Sequence, residues 1–193
     1  MALLIGGLAL FMVAHLVPTL PAVRARLVGK LGFGVYRLLF SLLSIAGLVL
    51  IVVGYGRMQG LGRGNPELWT SPVWVRHLVM LLMIPAIILL VAAYVPSRIR
   101  TAVRHPMLTA LMIWAFAHLL ANGDLASVLL FGSFLGYSIY DRVSVASRPS
   151  PGPLGDAKGG AVQDVVVVVV GLGLYALILF WGHAKLTGVA LLP

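Results

Sequence analysis

Five histidines, His15, His77, His105, His118 and His183, are the side chains in this sequence best suited to chemistry. A neutral imidazole ligates metals and exchanges protons near neutral pH. Cysteine is absent, which excludes disulfides, thiolate metal sites and a thiol nucleophile, and leaves the redox compartment unread. Glu67 is the only glutamate. No paired carboxylates fall within an apolar run, and no phosphate-binding glycine loop or Ser-His-acid arrangement is present. Each histidine also has an ordinary use, because a neutral ring hydrogen-bonds a backbone carbonyl or a serine between helices.

The elements that hold these residues are apolar. Of 193 residues, 61% are hydrophobic and 10% charged, with a mean hydropathy of +1.05. A water-soluble domain of this size cannot hide so much apolar surface in one core. Apolar runs cover residues 2–20, 33–56, 73–95, 106–121, 125–140 and 164–187. Several reach the roughly 20 residues that cross a hydrocarbon core. In lipid even the β-branched run Val165–Val170 must be helical to satisfy its own backbone. The expected fold is therefore all-α, an integral membrane bundle of about six transmembrane helices forming a single domain over residues 1–193. The first run follows Met1 with no basic n-region and no small-residue cleavage site. It is expected to be a retained helix rather than a signal peptide. Helices four and five are expected to form a short hairpin, with Gly123 as helix stop and Asp124 as the next N-cap.

The 14 basic residues outnumber the 5 acidic ones, and the sequence pI is near 10.7. They lie singly or in short groups between apolar runs, a pattern of membrane topology rather than nucleic-acid binding. Arg24, Arg26, Lys30, Arg37, Arg98, Arg100, Arg104, Arg142, Arg148 and Lys158 fall on one side, and Arg57, Arg63, Arg76 and Lys185 on the other. The positive-inside bias places the first set in the cytoplasm and both termini outside, in the periplasm of a bacterial inner membrane. The segment of about 141–163, rich in Pro, Gly and Ser, reads as a mobile cytoplasmic linker.

Depth separates the histidines. His77 and His183 sit near helix ends on the outer side, and His105 at the cytoplasmic boundary, in Arg104-His105-Pro106, where Pro106 suits the first helical position. His15 and His118 are best placed within the bilayer, where ionisable groups are expensive. His105 and His118 are 13 residues apart, about 20 Å along a helix and roughly on opposite faces, so they cannot share one metal. His118 pairs with Trp114 at i−4, beside Leu111 and Ala115. That face makes either a wall for a planar cofactor or a helix–helix contact. Small residues, Gly6-Gly7, Gly32, Gly34, Gly47, Gly171 and Gly173, permit close helix packing.

The block from Arg104-His105-Pro106 through Trp114 and His118 to Asn122-Gly123-Asp124, then Ser127 and Phe131-Gly132, resembles the signature of the NnrU family. His15-Leu-Val-Pro18 with Arg24, Tyr36-Arg-Leu-Leu-Phe-Ser41 and His183-Ala-Lys-Leu-Thr-Gly188 carry the resemblance to both ends of the chain. It implies a membrane protein with an accessory or redox-linked role in denitrification, in the expression or maturation of nitrite and nitric oxide reduction. The plant relative, zeta-carotene isomerase, implies a haem-b site with histidine axial ligands and an alternative cis-trans isomerase activity. Carried to matching positions, the ligands are His15 and His118, with Trp114, Arg104 and His105 as further cofactor-binding residues. The haem propionates would reach an interfacial arginine such as Arg37 or Arg104. Counted from Arg24 and Arg104, the two histidines differ in depth by roughly 8 Å, which helix tilt and a break near Pro18 and Pro21 partly absorb.

Arg104-His105-Pro106-Met107 also resembles the Arg-His-Pro motif of isoprenylcysteine carboxyl methyltransferases, which implies S-adenosylmethionine as cofactor. The segment that follows the hairpin, Asp141-Arg142 and a Pro/Gly linker, lacks the glutamate pair of that family. A third expectation is a non-enzymatic membrane assembly partner of a protein complex. The lipid bilayer is the one partner common to all three readings.

Overall fold

Helix boundaries fall where the apolar runs meet prolines, glycines and capping side chains. A computed structural model describes residues 1–60, 64–148, 152, 154–155 and 157–192. It gives α1 (Ala2–Leu16), a 3-10 turn (Val17–Thr19), α2 (Pro21–Leu31), α3 (Phe33–Gln59), α4 (Val73–Ala92), α5 (Arg98–Val103) and α6 (Pro106–Ala121). Then come α7 (Leu125–Ser144), α8 (Ala161–Leu177), a π-helical turn (Ile178–Gly182) and α9 (His183–Thr187). The described residues contain no strand, only an isolated antiparallel bridge between Glu67 and Asp124. Arg63 and five residues of the expected linker, Pro149, Ser150, Pro151, Pro153 and Asp156, lie outside the described residues.

Each boundary has a local cause. The turn at Pro18 and the helix start at Pro21 interrupt what would otherwise be one long helix. Gly32, at φ 77°, separates α2 from α3 in a conformation that a residue with a Cβ rarely adopts. Pro106 opens α6 as expected, and the Asp124 carboxylate accepts from Ser127 N at 3.0 Å to cap α7. Helix α2 forms between the first two apolar runs, where hydropathy alone predicts no helix. Its basic residues suit a short helix as well as a connection.

The chain divides into two compact units that interleave in sequence. The first comprises Met1–Ser71 and Asn122–Val145, the second Pro72–Ala121 and Ala146–Pro193. In the first, α1 and α3 meet backbone to backbone. A Cβ on Gly7 would lie 2.6 Å from Ile51 N, one on Gly47 would lie 2.9 Å from Phe11 N, and one on Gly54 would collide with the Leu4 backbone. Small residues at such a seam replace the hydrophobic drive that lipid does not supply. Helix α7 packs on both α1 and α3.

In the second unit α4 packs against α6 and α8. Gly171 lets α8 approach Ile88 of α4, and the Tyr175 hydroxyl donates to Met80 O at 3.1 Å. Arg98 pairs with Asp164 at 2.7 Å, tying α5 to α8. Arg100 donates to the Ala157 carbonyl at 2.9 Å and also to that of Gly155, so this part of the expected linker is held against α5.

Among the described residues, four segments are long and apolar enough to cross a membrane: Ala2–Thr19, Phe33–Gln59, Val73–Ala92 and Ala161–Thr187. The expected fourth and fifth spans are α6 and α7. Helix α6 is apolar but has 16 residues, and α7 carries Asp141 and Arg142 near its end. The expected hairpin is divided between the units, with α6 on α4 and α7 on α1 and α3.

Candidate functional site

His15 stands near the end of α1, where Phe11 precedes it by one turn. Its Nδ1–H donates to the Phe11 carbonyl at 2.8 Å, which fixes the tautomer because a carbonyl only accepts. The Phe11 ring stacks on the imidazole, with centroids 4.0 Å apart and planes 19° apart. Phe40 of α3 lies tilted at 5.1 Å and Tyr137 of α7 meets the ring edge-on at 6.1 Å. The Tyr137 hydroxyl is 3.3 Å from the His15 carbonyl and 3.4 Å from Asp141 Oδ2. Nε2 therefore carries the lone pair, and it has no hydrogen-bond partner among the described residues.

A groove of about 270 Å³ opens beside this ring, lined by Phe11, His15, Phe40, Ser41, Ile45 and Leu48 among others. A second, of about 280 Å³, shares Phe40 and is lined also by Pro18, Arg24, Phe33, Tyr36 and Arg37. Both lie within the first unit.

His118 repeats the arrangement in the second unit. Its Nδ1–H donates to the Trp114 carbonyl at 2.8 Å, and the two rings are 5.1 Å apart at 47°. Ala115, on the expected face, is buried. Both histidines thus follow an aromatic residue at i−4 and bond its carbonyl, as Phe11-x-x-x-His15 and Trp114-x-x-x-His118. The sequence reading singled out Trp114 but passed over Phe11. The shared spacing was the available signal. A ring nitrogen tied to a carbonyl is the usual outer support of a metal-ligating histidine, and the hydrogen bond serves an ordinary buried histidine equally.

Arg104 and His105 form a distinct feature. Arg104 is the one described non-glycine residue with positive φ, at φ 65° and ψ −47°, and His105 N bonds back to Val103 O at 2.8 Å. That is a three-residue γ-turn with the strained central geometry. It lets α5 end and α6 begin at Pro106 without a longer loop. His105 is half-buried, and its carbonyl accepts from Thr109 N at 3.1 Å, capping α6.

Of the remaining histidines, His183 lies within electrostatic range of His118. His77 is exposed on α4. His183 bonds Val189 O at 2.8 Å and lies 3.1 Å from the Thr187 hydroxyl, closing the C-terminal turn. No group of three or more His, Asp or Glu side chains among the described residues is placed to hold a metal ion.

Asp124 is a structural knot. Its Oδ1 accepts from Gln59 Nε2 at 3.0 Å, Asn65 Nδ2 at 2.9 Å and Ser127 N at 3.0 Å, and its Oδ2 from Ser127 Oγ at 2.6 Å. Since Ser127 spends its proton on Asp124, Tyr55 donates to Ser127 Oγ, at 3.0 Å. Partial burial opposes ionisation, but the donors from Ser127, Asn65 and Gln59 outweigh it and hold the carboxyl below its ordinary value. Gly123 is required beside it for a reason other than a helix stop, because a Cβ there would collide with the Trp69 carbonyl.

A family model described as NnrU protein matches residues 3–191. Comparison with curated proteins and with solved structures gave no match.

Proposed function

The chain belongs to the NnrU protein family, and from that premise we propose that it is a membrane haem-b protein with His15 and His118 as the imidazoles that take the iron. Its role is redox-linked and accessory to nitrite and nitric oxide reduction, as the bacterial family implies. A cis-trans isomerase of the zeta-carotene isomerase kind would draw on the same site.

The observation that carries the reading is the matched support of the two rings. In each, Nδ1–H is tied to an aromatic residue's carbonyl at 2.8 Å, which leaves Nε2 as the basic nitrogen. Beside His15 the groove wall is mostly apolar, with Phe11, Phe40, Ile45 and Leu48 next to Ser41 and Ser44, and such a lining suits a flat apolar ring. A haem held there would supply one-electron chemistry, with a potential tuned by the two imidazoles and their surroundings. What the chain contributes is orientation of the imidazoles, by Phe11, Phe40 and Tyr137 at His15 and by Trp114 at His118.

Purification from haem-replete cells followed by a pyridine haemochrome assay tests this. About one haem b per chain is expected; a stable, colourless protein would overturn it. The methyltransferase alternative rests on Arg104-His105-Pro106 and requires saturable S-adenosylmethionine binding that His105→Ala abolishes.

A further inference from the structure

We propose that the groove between α2 and the start of α3 is a binding site for an anionic glycerophospholipid, its phosphodiester held by Arg24, Arg37 and Tyr36. The inference is independent of the haem reading.

The first observation is an orphan. Tyr36 Oη is buried from solvent and has no hydrogen-bond partner among the described residues. Buried hydroxyls are rarely left so, and an unmet one costs stability until an acceptor arrives. Tyr36 lines the groove of about 280 Å³ together with two guanidinium groups. The Arg24 guanidinium carbon lies 5.9 Å from the Tyr36 ring centre, and that of Arg37 lies 5.5 Å from the Phe33 ring centre. Neither arginine has an ion-pair partner among the described residues, unlike Arg98, which pairs with Asp164. Two unpaired cations and one donor hydroxyl ask for an anion with several oxygens.

The placement of Arg24 sharpens this. On a helical projection of α2 it shares a face with Leu27, Val28 and Leu31, whereas Arg26 and Lys30 lie about 120–160° away. Leu27 and Val28 are the half-buried positions of α2, which packs on α3. Arg24 is thus a charge on the apolar, groove-side face, and Arg26 and Lys30 are on the other.

The surroundings select a lipid over a free phosphate. Pro18, Phe33 and Phe40 flank the cations with apolar surface, so the anion must bring an apolar body. Arg37 lies in the first turns of a 27-residue apolar helix, where the membrane–water boundary falls and where phosphodiesters reside. Beyond it α3 exposes Leu38, Leu42 and Ile45, each more than half exposed, as a path for an acyl chain.

Native mass spectrometry of the full chain in detergent tests the site, with phosphatidylglycerol or phosphatidylcholine added as probes. A phosphatidylglycerol adduct is expected that survives activation, and the phosphatidylcholine adduct about tenfold weaker. Arg24→Gln/Arg37→Gln and, separately, Tyr36→Phe should each reduce the phosphatidylglycerol adduct about tenfold. Arg26→Gln/Lys30→Gln, with the same charge change on the opposite face, should leave it unaltered, and excess glycerophosphate should not displace it. Equal loss in both double variants, equal binding of the two lipids, or displacement by glycerophosphate would overturn the proposal. So would a double variant Arg24→Gln/Arg37→Gln that loses haem but keeps the adduct, which would give these arginines to the propionates. Haem content is read in the same samples, so failure of either reading is seen separately.

Discussion

Phe11 holds His15 twice, accepting Nδ1–H through its carbonyl at 2.8 Å and stacking its ring on the imidazole at 4.0 Å. The substitution Phe11→Ala keeps the first contact and removes the second. An aromatic pair is worth about 0.5–1.5 kcal/mol beyond its area, so haem retention should fall roughly three- to tenfold. Titration of the haem-free protein with haem measures it; unchanged affinity would mean that the ring does not orient the ligand.

The seam between α1 and α3 gives opposite signs for two neighbouring classes of glycine. Gly54→Ala places a methyl into the Leu4 backbone and should cost about 1–3 kcal/mol, a few degrees in Tm. Gly6→Ala meets open space and should gain up to about 1 kcal/mol from helix propensity. Thermal unfolding in one detergent compares them, and a Gly54→Ala protein as stable as the parent would refute the close seam.

Asp124 makes stability depend on acid. Its folded-state pKa lies below its ordinary value of 3.8, so its contribution is full above that value and is lost as pH falls through the lower, folded one. The stability gap between wild type and Asp124→Asn should therefore narrow below about pH 4. Asp124→Ala should cost about 1 kcal/mol at neutral pH through the lost cap. A gap independent of pH would show that the network does not favour the carboxylate.

Arg104 occupies a backbone conformation that only glycine enters freely. Arg104→Gly and Arg104→Ala remove the same charge, but the glycine variant should be the more stable by about 1 kcal/mol. Chemical denaturation of the pair decides, and the reverse order would mean that the turn is not strained.

Much of this was legible in the sequence, for reasons tied to particular residues. Lipid demands helices of a given length, so apolar runs alone placed α1, α3, α4, α6 and α7 to within a few residues, and the last run matches α8 only together with the π-helical turn and α9 that continue it to Thr187. Pro106 and Asp124 marked their helix starts because their chemistry is local. Of the glycines expected at close helix contacts, Gly7, Gly47 and Gly171 lie at such contacts, whereas Gly6, Gly32, Gly34 and Gly173 meet open space. Gly54 was missed, because a seam is set by a partner helix that one-dimensional spacing does not show. The α2 helix was missed because its apolar positions are diluted by Arg24, Arg26 and Lys30. Around His15, Phe40 and Tyr137 come from other helices, so only Phe11, at the i−4 spacing, was open to sequence reasoning. The γ-turn at Arg104 left no trace in residue type at all.

The central claim is that His15 and His118 take haem iron. The most direct measurement is the visible absorption spectrum of the purified protein beside His15→Ala, His118→Ala and His77→Ala, each confirmed folded by circular dichroism. A Soret band is predicted in the parent and in His77→Ala, whose histidine is exposed, with the band lost or strongly shifted in the other two. A Soret band unchanged in His15→Ala and His118→Ala, or absent from a folded parent protein, would contradict the account.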